Sequence, residues 1–309
     1  MKRLVIQRLF SAIGVVLGAC ALVFLILYML PGDPVQRMLD GAPADENTIM
    51  HLREQLGLDL PLHQQFLNYM GNLLQGDFGH SFVTQEPVLD RILEQLPATI
   101  QLTVMSMGVA VVFGVTLGIL SALKSNTWID FLVRVVSLFG VSMPTFWSGI
   151  LLILLFGVTL GWLPTMGSEG FQSLILPSLA LGFVSAGYIV RMVRNSVLET
   201  IQDPYVTTLR AKGLSDGKVT YLHVFRNALI PAITMIGVQV GELLAGAVVI
   251  ETVFSRQGIG RLVADAIITQ DFPVVQGVVI VTAVVYVLVN FTIDLSYSAI
   301  DPRIRRGAG

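Results

Sequence analysis

Long apolar runs separated by short polar stretches dominate the chain from residue 9 to residue 297. A membrane-spanning helix needs about 20 consecutive apolar residues. The pattern therefore predicts six transmembrane helices, at about 9–30, 97–123, 133–160, 174–196, 229–251 and 274–297. Backbone polar groups in lipid must be paired internally, and no strand-like alternation indicates a barrel. The predicted fold class is an all-α membrane protein.

The composition supports the same class. The 309 residues are 54% hydrophobic and only 13% charged, whereas a water-soluble domain has about 25% charged residues. Cys20 is the single cysteine and lies in an apolar run, so a disulfide framework is excluded. The first apolar run exceeds the core of a signal peptide and lacks a small-residue cleavage site before Pro31. We therefore expect it to be a retained helix.

The basic residues predict the orientation, because cytoplasmic segments are enriched in Lys and Arg. With both termini in the cytoplasm, 14 of the 19 Lys and Arg residues lie in inner segments. The segment 35–96 is then the only sizeable outer region. The polar interruption 203–231 faces the cytoplasm, and its partner is expected to be a cytoplasmic protein.

The segment 203–231, called the elbow below, has the sequence DPYVTTLRAKGLSDGKVTYLHVFRNALIP. Asp203 is a candidate N-cap residue, with Pro204 at the first helical position. Gly213 is suited to a left-handed conformation that ends this helix. A second short helix leads to Pro231. The pattern predicts a folded bend whose small residues, Ala211 and Gly213, allow another protein to approach closely.

Three residues inside the apolar runs are candidates for a translocation path. Pro144 removes one helical hydrogen bond and should kink the third helix; a packing distortion without function is equally compatible with it. Glu242 lies at membrane depth, where a lone carboxylate is costly and should face a partner, the bundle interior or water. Gln239, one turn earlier, is a possible hydrogen-bond partner for Glu242, so a structural role stays open.

Two further expectations concern charged residues near the helix ends. Arg191 and Arg194 share one face of the fourth helix and are expected at the inner lipid headgroups. Glu251 lies near the outer end of the fifth helix and is expected to be solvated or paired there.

Several kinds of chemistry lack a signature. The chain contains no Gly-x-x-x-x-Gly-Lys-Ser/Thr loop, no His-Glu-x-x-His helix and no Gly-x-Ser-x-Gly turn. ATP binding through a P-loop, zinc proteolysis and hydrolysis at a nucleophile elbow are thereby excluded, and no catalytic residue is predicted. His51, His63 and His80 lack the spacing of a metal site. The basic residues follow the predicted inner face, so they do not indicate nucleic-acid binding.

Motifs along nearly the whole chain resemble one family. These are MLPGDP at 29–34, GLDLPLHQQF at 57–66, GDFGHSF at 76–82, SMPTFW at 142–147, RAKGLS at 210–215, RNALIP at 226–231 and DPRIR at 301–305. Together they resemble the permeases of ATP-binding-cassette importers, in the peptide and nickel branch. Gly213 matches the glycine of that family's Glu-Ala-Ala loop, whose first three places here read Thr207, Thr208 and Leu209. Arg256 and Gln257 stand where the family usually has Trp-Pro.

The resemblance implies a type I importer permease in the bacterial cytoplasmic (inner) membrane. The implied partners are a second homologous permease, two cytoplasmic ATPases that carry ATP and Mg²⁺, an extracytoplasmic substrate-binding protein and membrane lipid. No cofactor is expected in this chain. The residues expected to contact an ATPase are those at the bend, namely Asp203, Thr207, Thr208, Arg210, Ala211, Lys212, Gly213 and Arg226.

The predicted organisation has three parts: a first helix with an outer helical segment (1–96), a core permease domain (97–297) and a cytoplasmic tail (298–309). The transported solute is expected to be a dipeptide, an oligopeptide, a glutathione-like peptide, or nickel or its chelate. Two other classes stay open at this stage. An ion-coupled carrier would place functional acids at mid-membrane, and a receptor or scaffold would transport nothing.

Overall fold

The computed structural model describes residues 2–29, 35, 45–55 and 57–300, and helices dominate them. Within these ranges no residue lies in a β-strand, and one isolated bridge pairs His80 with Pro87. The helices are α1 Lys2–Met29, α2 Glu46–Gln55, α3 Leu62–Leu74, α4 Val88–Leu123, α5 Trp128–Ser142, α6 Thr145–Leu152, α7 Gln172–Ile201, α8 Pro204–Ala211, α9 Asp216–Lys218, α10 Phe225–Ala228, α11 Ile230–Val253, α12 Ile259–Thr269 and α13 Phe272–Ile300. Two π-helical segments, Ile153–Thr159 and Val219–Val224, follow α6 and α9. The segment 30–34 and residues 301–309 of the predicted tail (298–309) lie outside the described residues.

Five helices are long and apolar enough to cross a membrane, which supports the predicted class. They are parts of α1 and α13, and the whole of α4, α7 and α11. The predicted spans at 97–123 and 174–196 belong to longer helices, and Pro97 and Pro177 lie inside α4 and α7. A sixth span is present if α5, α6 and the following π-helical segment are taken as one broken span.

The break between α5 and α6 is sharper than the kink predicted at Pro144. The two helices meet at 110°. Met143 has extended backbone angles, φ −85° and ψ 133°, and Pro144 follows with ψ 138°. Proline disfavours the helical conformation of the residue before it, so the helix ends rather than bends. A single continuous helix over 133–160 is therefore not what the structure contains.

The described chain divides into two compact units, each of which is considered by itself. The first contains residues 1–97 and 262–288. In this unit, α1 contacts α3 through aromatic rings, with the Phe24 ring centroid 5.3 Å from that of Phe66 and 5.7 Å from that of Tyr69. The contact holds α3 against α1.

A buried carboxylate organises the rest of this unit. Asp271, between α12 and α13, is 2% exposed. It accepts hydrogen bonds from the Ser81 hydroxyl and from the Phe82 N–H at 3.0 Å. Arg91 of α4 lies 3.8 Å away and supplies a compensating charge. The GDFGHSF segment is therefore held by a specific polar cluster rather than left as a free loop.

The second unit contains residues 98–261 and 289–309, and its described part is built around α7. This helix packs against α5, α6 and α11. Glycines permit the close approach: a Cβ at Gly182 would lie 2.6 Å from the Ser106 carbonyl oxygen of α4, and one at Gly187 would lie 2.6 Å from the Ser137 carbonyl oxygen of α5. Small residues at crossings are typical of membrane helices, which gain little from hydrophobic burial against one another.

Two of the three glycines on α4 allow close packing against α7. A Cβ at Gly114 would lie 2.6 Å from Ile189, and one at Gly118 would lie 2.8 Å from Val193, both on α7. Gly108 has no atom within 4 Å of an added Cβ, so close packing does not explain this glycine.

Candidate coupling elbow and translocation site

The first half of the elbow begins as predicted. α8 starts at Pro204, whose missing N–H costs nothing at the first helical position. Asp203 occupies the N-cap position with φ −61° and ψ 141°, but its carboxylate makes no capping hydrogen bond. The start of the helix therefore depends on Pro204 and on the carbonyl of Asp203, which accepts the Val206 N–H at 2.9 Å.

The C-terminal end of α8 confirms the prediction for Gly213. This residue has φ +85°, a left-handed conformation that favours glycine. Its N–H donates to the Arg210 carbonyl at 2.9 Å, and the Leu214 N–H donates to the Leu209 carbonyl at 3.3 Å. This pair of bonds is the Schellman motif, which satisfies carbonyls that the helix end would leave unpaired.

Side chains tie the two halves of the elbow together. Arg210 on α8 donates from Nε to Asp216 on α9 at 2.9 Å. Asn227 on α10 donates from Nδ2 to the Tyr205 hydroxyl at 3.0 Å. The elbow is thus a folded unit, as predicted, because both of its ends and its middle are linked by hydrogen bonds.

The elbow has one buried face and one open face. Its buried side chains join the core that includes the inner end of α7; they are Val206, Val219, Val224, Phe225 and Ala228. The residues predicted to contact an ATPase are exposed, except Asp203, which is half-buried. Two large apolar residues missed by the sequence analysis share the open side of the elbow, with Tyr221 68% and Leu222 63% exposed. Exposed apolar side chains beside cations are typical of a surface that a partner covers.

An ion pair that the sequence analysis did not predict joins α5 to α7, the helix that leads into the elbow. Asp130 of α5 is completely buried and accepts two hydrogen bonds from Arg194 of α7, at 2.8 Å from Nε and 3.0 Å from Nη2. It also accepts the Ser121 hydroxyl at 2.6 Å and the Asn126 N–H at 3.1 Å. Arg194 is therefore not a headgroup anchor as expected, whereas the exposed Arg191 lies over the Tyr188 ring at 5.3 Å.

The ion pair joins the α4–α5 connection to the last turns of α7. Ser121 belongs to the end of α4 and Asn126 to the turn that follows it. Since α7 ends at Ile201 and α8 begins at Pro204, any movement of the elbow reaches this cluster through about two turns of helix.

On α11 the two candidate path residues lie on different faces. Gln239 is 4% exposed and its Nε2 lies 3.9 Å from the sulfur of Met235. Glu242 is exposed. The possible hydrogen bond between these two side chains is therefore not present.

Glu242 belongs to an exposed stripe along α11. The other members recur at helical spacing and are Thr234, Val238, Ala245 and Val249. A carboxylate on a membrane helix is stable only against water, protein or an opposite charge. Glu242 therefore lies on the side of α11 that the described part of the chain leaves uncovered.

At the opposite end of α11, Glu251 is buried and paired through hydrogen bonds, which is the second of the two outcomes expected for it. Its carboxylate accepts the Thr99 hydroxyl at 2.6 Å and the N–H groups of Gly260 and Arg261 at 2.8 and 3.2 Å. Those N–H groups belong to the first turn of α12, where a negative charge is favourable. Glu251 is therefore the residue that shapes the outer turn between α11 and α12.

Among the described residues, no group of three or more His, Cys, Asp or Glu side chains is placed to hold a metal ion.

Comparison with known proteins places this geometry in a family. Residues 114–306 match the family described as binding-protein-dependent transport system inner membrane component, and residues 1–103 match its N-terminal counterpart. The chain is 44% identical over 305 residues to the glutathione transport system permease protein GsiC of Escherichia coli (strain K12), covering 99% of both. It is 43% identical, with the same coverage, to GsiC of Salmonella typhimurium (strain LT2).

Solved structures agree at the level of the fold. The methionine ABC transporter MetNI in an inward-facing conformation superposes with a TM-score of 0.59 at 19% identity, over 68% of this chain and 96% of that one. An amino acid ABC transporter with histidines gives a TM-score of 0.51 at 16% identity, over 69% and 94%. This chain thus belongs to the permease subunits of binding-protein-dependent ATP-binding-cassette importers, in the peptide and nickel branch, and is a multi-pass protein of the bacterial inner membrane.

Proposed function

We propose that this permease imports small peptides of the glutathione type. The observation that carries the proposal is the 44% identity over 99% of the chain to permeases named for glutathione transport. The family membership favours this importer over the ion-coupled carrier and the receptor that the sequence left open. A nickel chelate is the second candidate solute within the same branch.

The complex contains a second homologous permease, two cytoplasmic ATPases and an extracytoplasmic binding protein. ATP and Mg²⁺ are bound by the ATPases, and this chain contributes no catalytic residue and no cofactor. Six spans with both termini in the cytoplasm are consistent with the basic inner segments, provided that α5 and α6 together form one of them. Residues 1–96 supply the first span and outer segment, 97–297 the core and 298–309 the tail.

The elbow docks on an ATPase through its open face. Support comes from the exposed cations Arg210, Lys212 and Arg226 and from the neighbouring exposed Tyr221 and Leu222. Buried aromatic and arginine side chains provide most of the binding energy in protein interfaces. The open face of the elbow offers both kinds of residue.

Motion of the ATPases reaches the membrane through helices that are nearly continuous with the elbow. Two residues separate α7 from α8, and one residue separates α10 from α11. Rotation of the elbow on ATP-driven closure therefore tilts α7 and α11, and the permease pair alternates between inward and outward openings. Such coupling requires that the elbow makes different contacts in the two states.

The exposed stripe of α11 lines the path between the two permeases. Glu242 gives the stripe a carboxylate, and the break at Pro144 frees backbone groups that water in a path can satisfy. Gln239 lies on the buried face of α11 and supports the packing of that helix instead.

Uptake in reconstituted vesicles tests the proposed function. We expect proteoliposomes that contain the full complex, with ATP inside and the binding protein outside, to accumulate labelled glutathione. Omission of the ATPases or replacement of ATP by a non-hydrolysable analogue should abolish accumulation. Uptake driven by a proton or sodium gradient without the ATPases would contradict the proposal.

A substitution of Glu242 tests the path. Glu242→Gln should lower the uptake rate several-fold while the complex assembles and unfolds as the wild type does, since exposed substitutions usually change stability by about 0.5 kcal/mol or less. Glu242→Asp keeps the charge and should retain more of the uptake. Equal uptake by Glu242→Leu and wild type would remove Glu242 from the path.

A further inference from the structure

The turn between α11 and α12 holds an arginine in an unusual environment. Arg256 is 3% exposed. Its main-chain N–H donates to the Glu251 carbonyl at 2.8 Å, which fixes the turn. Its side-chain Nε and Nη1 are buried and have no hydrogen-bond partner among the described residues. A buried guanidinium with free donors costs free energy unless something binds it.

The nearest acid does not satisfy these donors. Glu251 acts on Arg256 electrostatically, but its carboxylate oxygens already accept bonds from Thr99, Gly260 and Arg261. Burial lowers the pKa of the Arg256 guanidinium, and the charge of Glu251 opposes that shift only in part. The Arg256 guanidinium therefore has two N–H donor groups that an anion could pair with.

Arg256 lines a pocket of about 660 Å³ formed by α4, the start of α7 and the loop before it. Gln101 and Ser168 are the other polar side chains in the lining. The Ser168 hydroxyl oxygen accepts the Gln257 N–H at 2.7 Å, which leaves its hydrogen free to donate. The volume is in the usual range of small-molecule sites, roughly 300–1,000 Å³.

We propose that Arg256, Gln101 and Ser168 form a binding site for a carboxylate of the transported solute, at the end of the permease where the solute enters. α11 has 24 residues, so the pocket lies about 36 Å along that helix from the elbow. With the elbow on the cytoplasmic side, the pocket is on the outer side. The assignment rests on the proposed function, because it takes both the orientation and a peptide-like solute from it.

The chemistry matches a free carboxylate. A guanidinium presents parallel N–H donors that fit two carboxylate oxygens, and such charge-assisted bonds are stronger than neutral ones. Gln101 and Ser168 supply neutral donors for a remaining oxygen or a peptide group. A solute is favoured over an acidic side chain of the binding protein, since the guanidinium is recessed in a pocket of small-molecule size rather than displayed on the surface.

The test measures direct binding to the assembled permease–ATPase complex in nanodiscs without the binding protein. The probes are glutathione and its diethyl ester, in which both carboxylates are blocked. We expect wild type to bind glutathione at least about tenfold more tightly than the ester. Arg256→Gln should lose this preference, Arg256→Lys should retain part of it, and the exposed neighbouring variant Gln257→Ala should keep it.

Each other outcome is decisive. Equal preference in Arg256→Gln and wild type, or no binding of glutathione by wild type, overturns the site. A weakened association of solute-free binding protein with Arg256→Gln, with glutathione binding intact, assigns Arg256 to protein docking and also overturns it. ATP-driven uptake by wild type, measured in parallel, separates failure of this site from failure of the proposed function. Assembly of each variant is verified by size-exclusion chromatography before binding is measured.

Discussion

Replacing Asp130 by alanine is expected to lower the free energy of unfolding by about 3 kcal/mol, because it leaves Arg194 partly buried without its counter-charge. The carboxylate is completely buried, and the Arg194 side chain is 17% exposed. The same change removes the acceptor of the Ser121 hydroxyl and of the Asn126 N–H. The measurement is the midpoint of SDS-induced unfolding of the purified permease complex in mixed micelles.

Arg134 provides a matched control for Arg194, because both arginines lie beside the Asp130 carboxylate. Arg134 is one turn from Asp130 on α5, at 3.5 Å, but is 52% exposed. Arg134→Ala should cost about 0.5 kcal/mol, as exposed pairs do, whereas Arg194→Ala should cost several times more. The double variant Asp130→Leu/Arg194→Met should recover most of the loss, since apolar groups can replace a buried pair. Equal costs for Arg134→Ala and Arg194→Ala would contradict the assignment.

The elbow and the spans were predictable because local rules act there. Residues 204–213 contain a proline at a helix start and a glycine at a helix end, and both positions obey short-range backbone constraints. The apolar runs are long enough for the membrane requirement to identify them without tertiary information. The structure follows these patterns at α7, α8 and α11.

The ion pairs were not predictable because their partners are far apart along the chain. Asp130 and Arg194 are separated by 64 residues, and Thr99 and Glu251 by 152. The weak signal that could have found the first pair is an acidic residue at an inner helix end, where basic residues prevail. Nothing local in the sequence distinguishes Glu251, which is buried, from Glu242, which is exposed.

Prolines have opposite effects at different positions in this chain: two lie within continuous helices, and one lies where a helix ends completely. Pro97 and Pro177 lie near the predicted starts of the second and fourth spans, yet α4 and α7 continue through them. Pro144 was interpreted as a kink, yet the chain turns by 110° there. Neighbouring helices decide between these results, because they determine whether a freed backbone group finds a partner.

Substitution of Gly213 by tryptophan is expected to lower transport per ATP hydrolysed by about thirtyfold, corresponding to about 2 kcal/mol lost at a central interface residue. An added Cβ at Gly213 meets no atom within 4 Å, so the first side-chain atom does not clash within this chain. The strain of φ +85° adds about 1–2 kcal/mol for a residue other than glycine. Binding-protein-stimulated ATPase activity and glutathione uptake, measured in the same proteoliposomes, give the ratio.

Two variants separate the loss of contact from the strain. Gly213→Asn tolerates the left-handed conformation better than tryptophan does and should retain most of the coupling. Gly161 has φ +62°, is exposed and likewise has no atom within 4 Å of an added Cβ, but it lies after the π-helical segment Ile153–Thr159, outside the elbow. Gly161→Trp should therefore carry the same strain and leave the ratio of uptake to ATP hydrolysis unchanged. A coupling defect that is present in Gly213→Trp and absent from Gly213→Asn and Gly161→Trp is the result expected if a partner occupies the space beside Gly213. An unchanged ratio in Gly213→Trp would show that no ATPase approaches the bend.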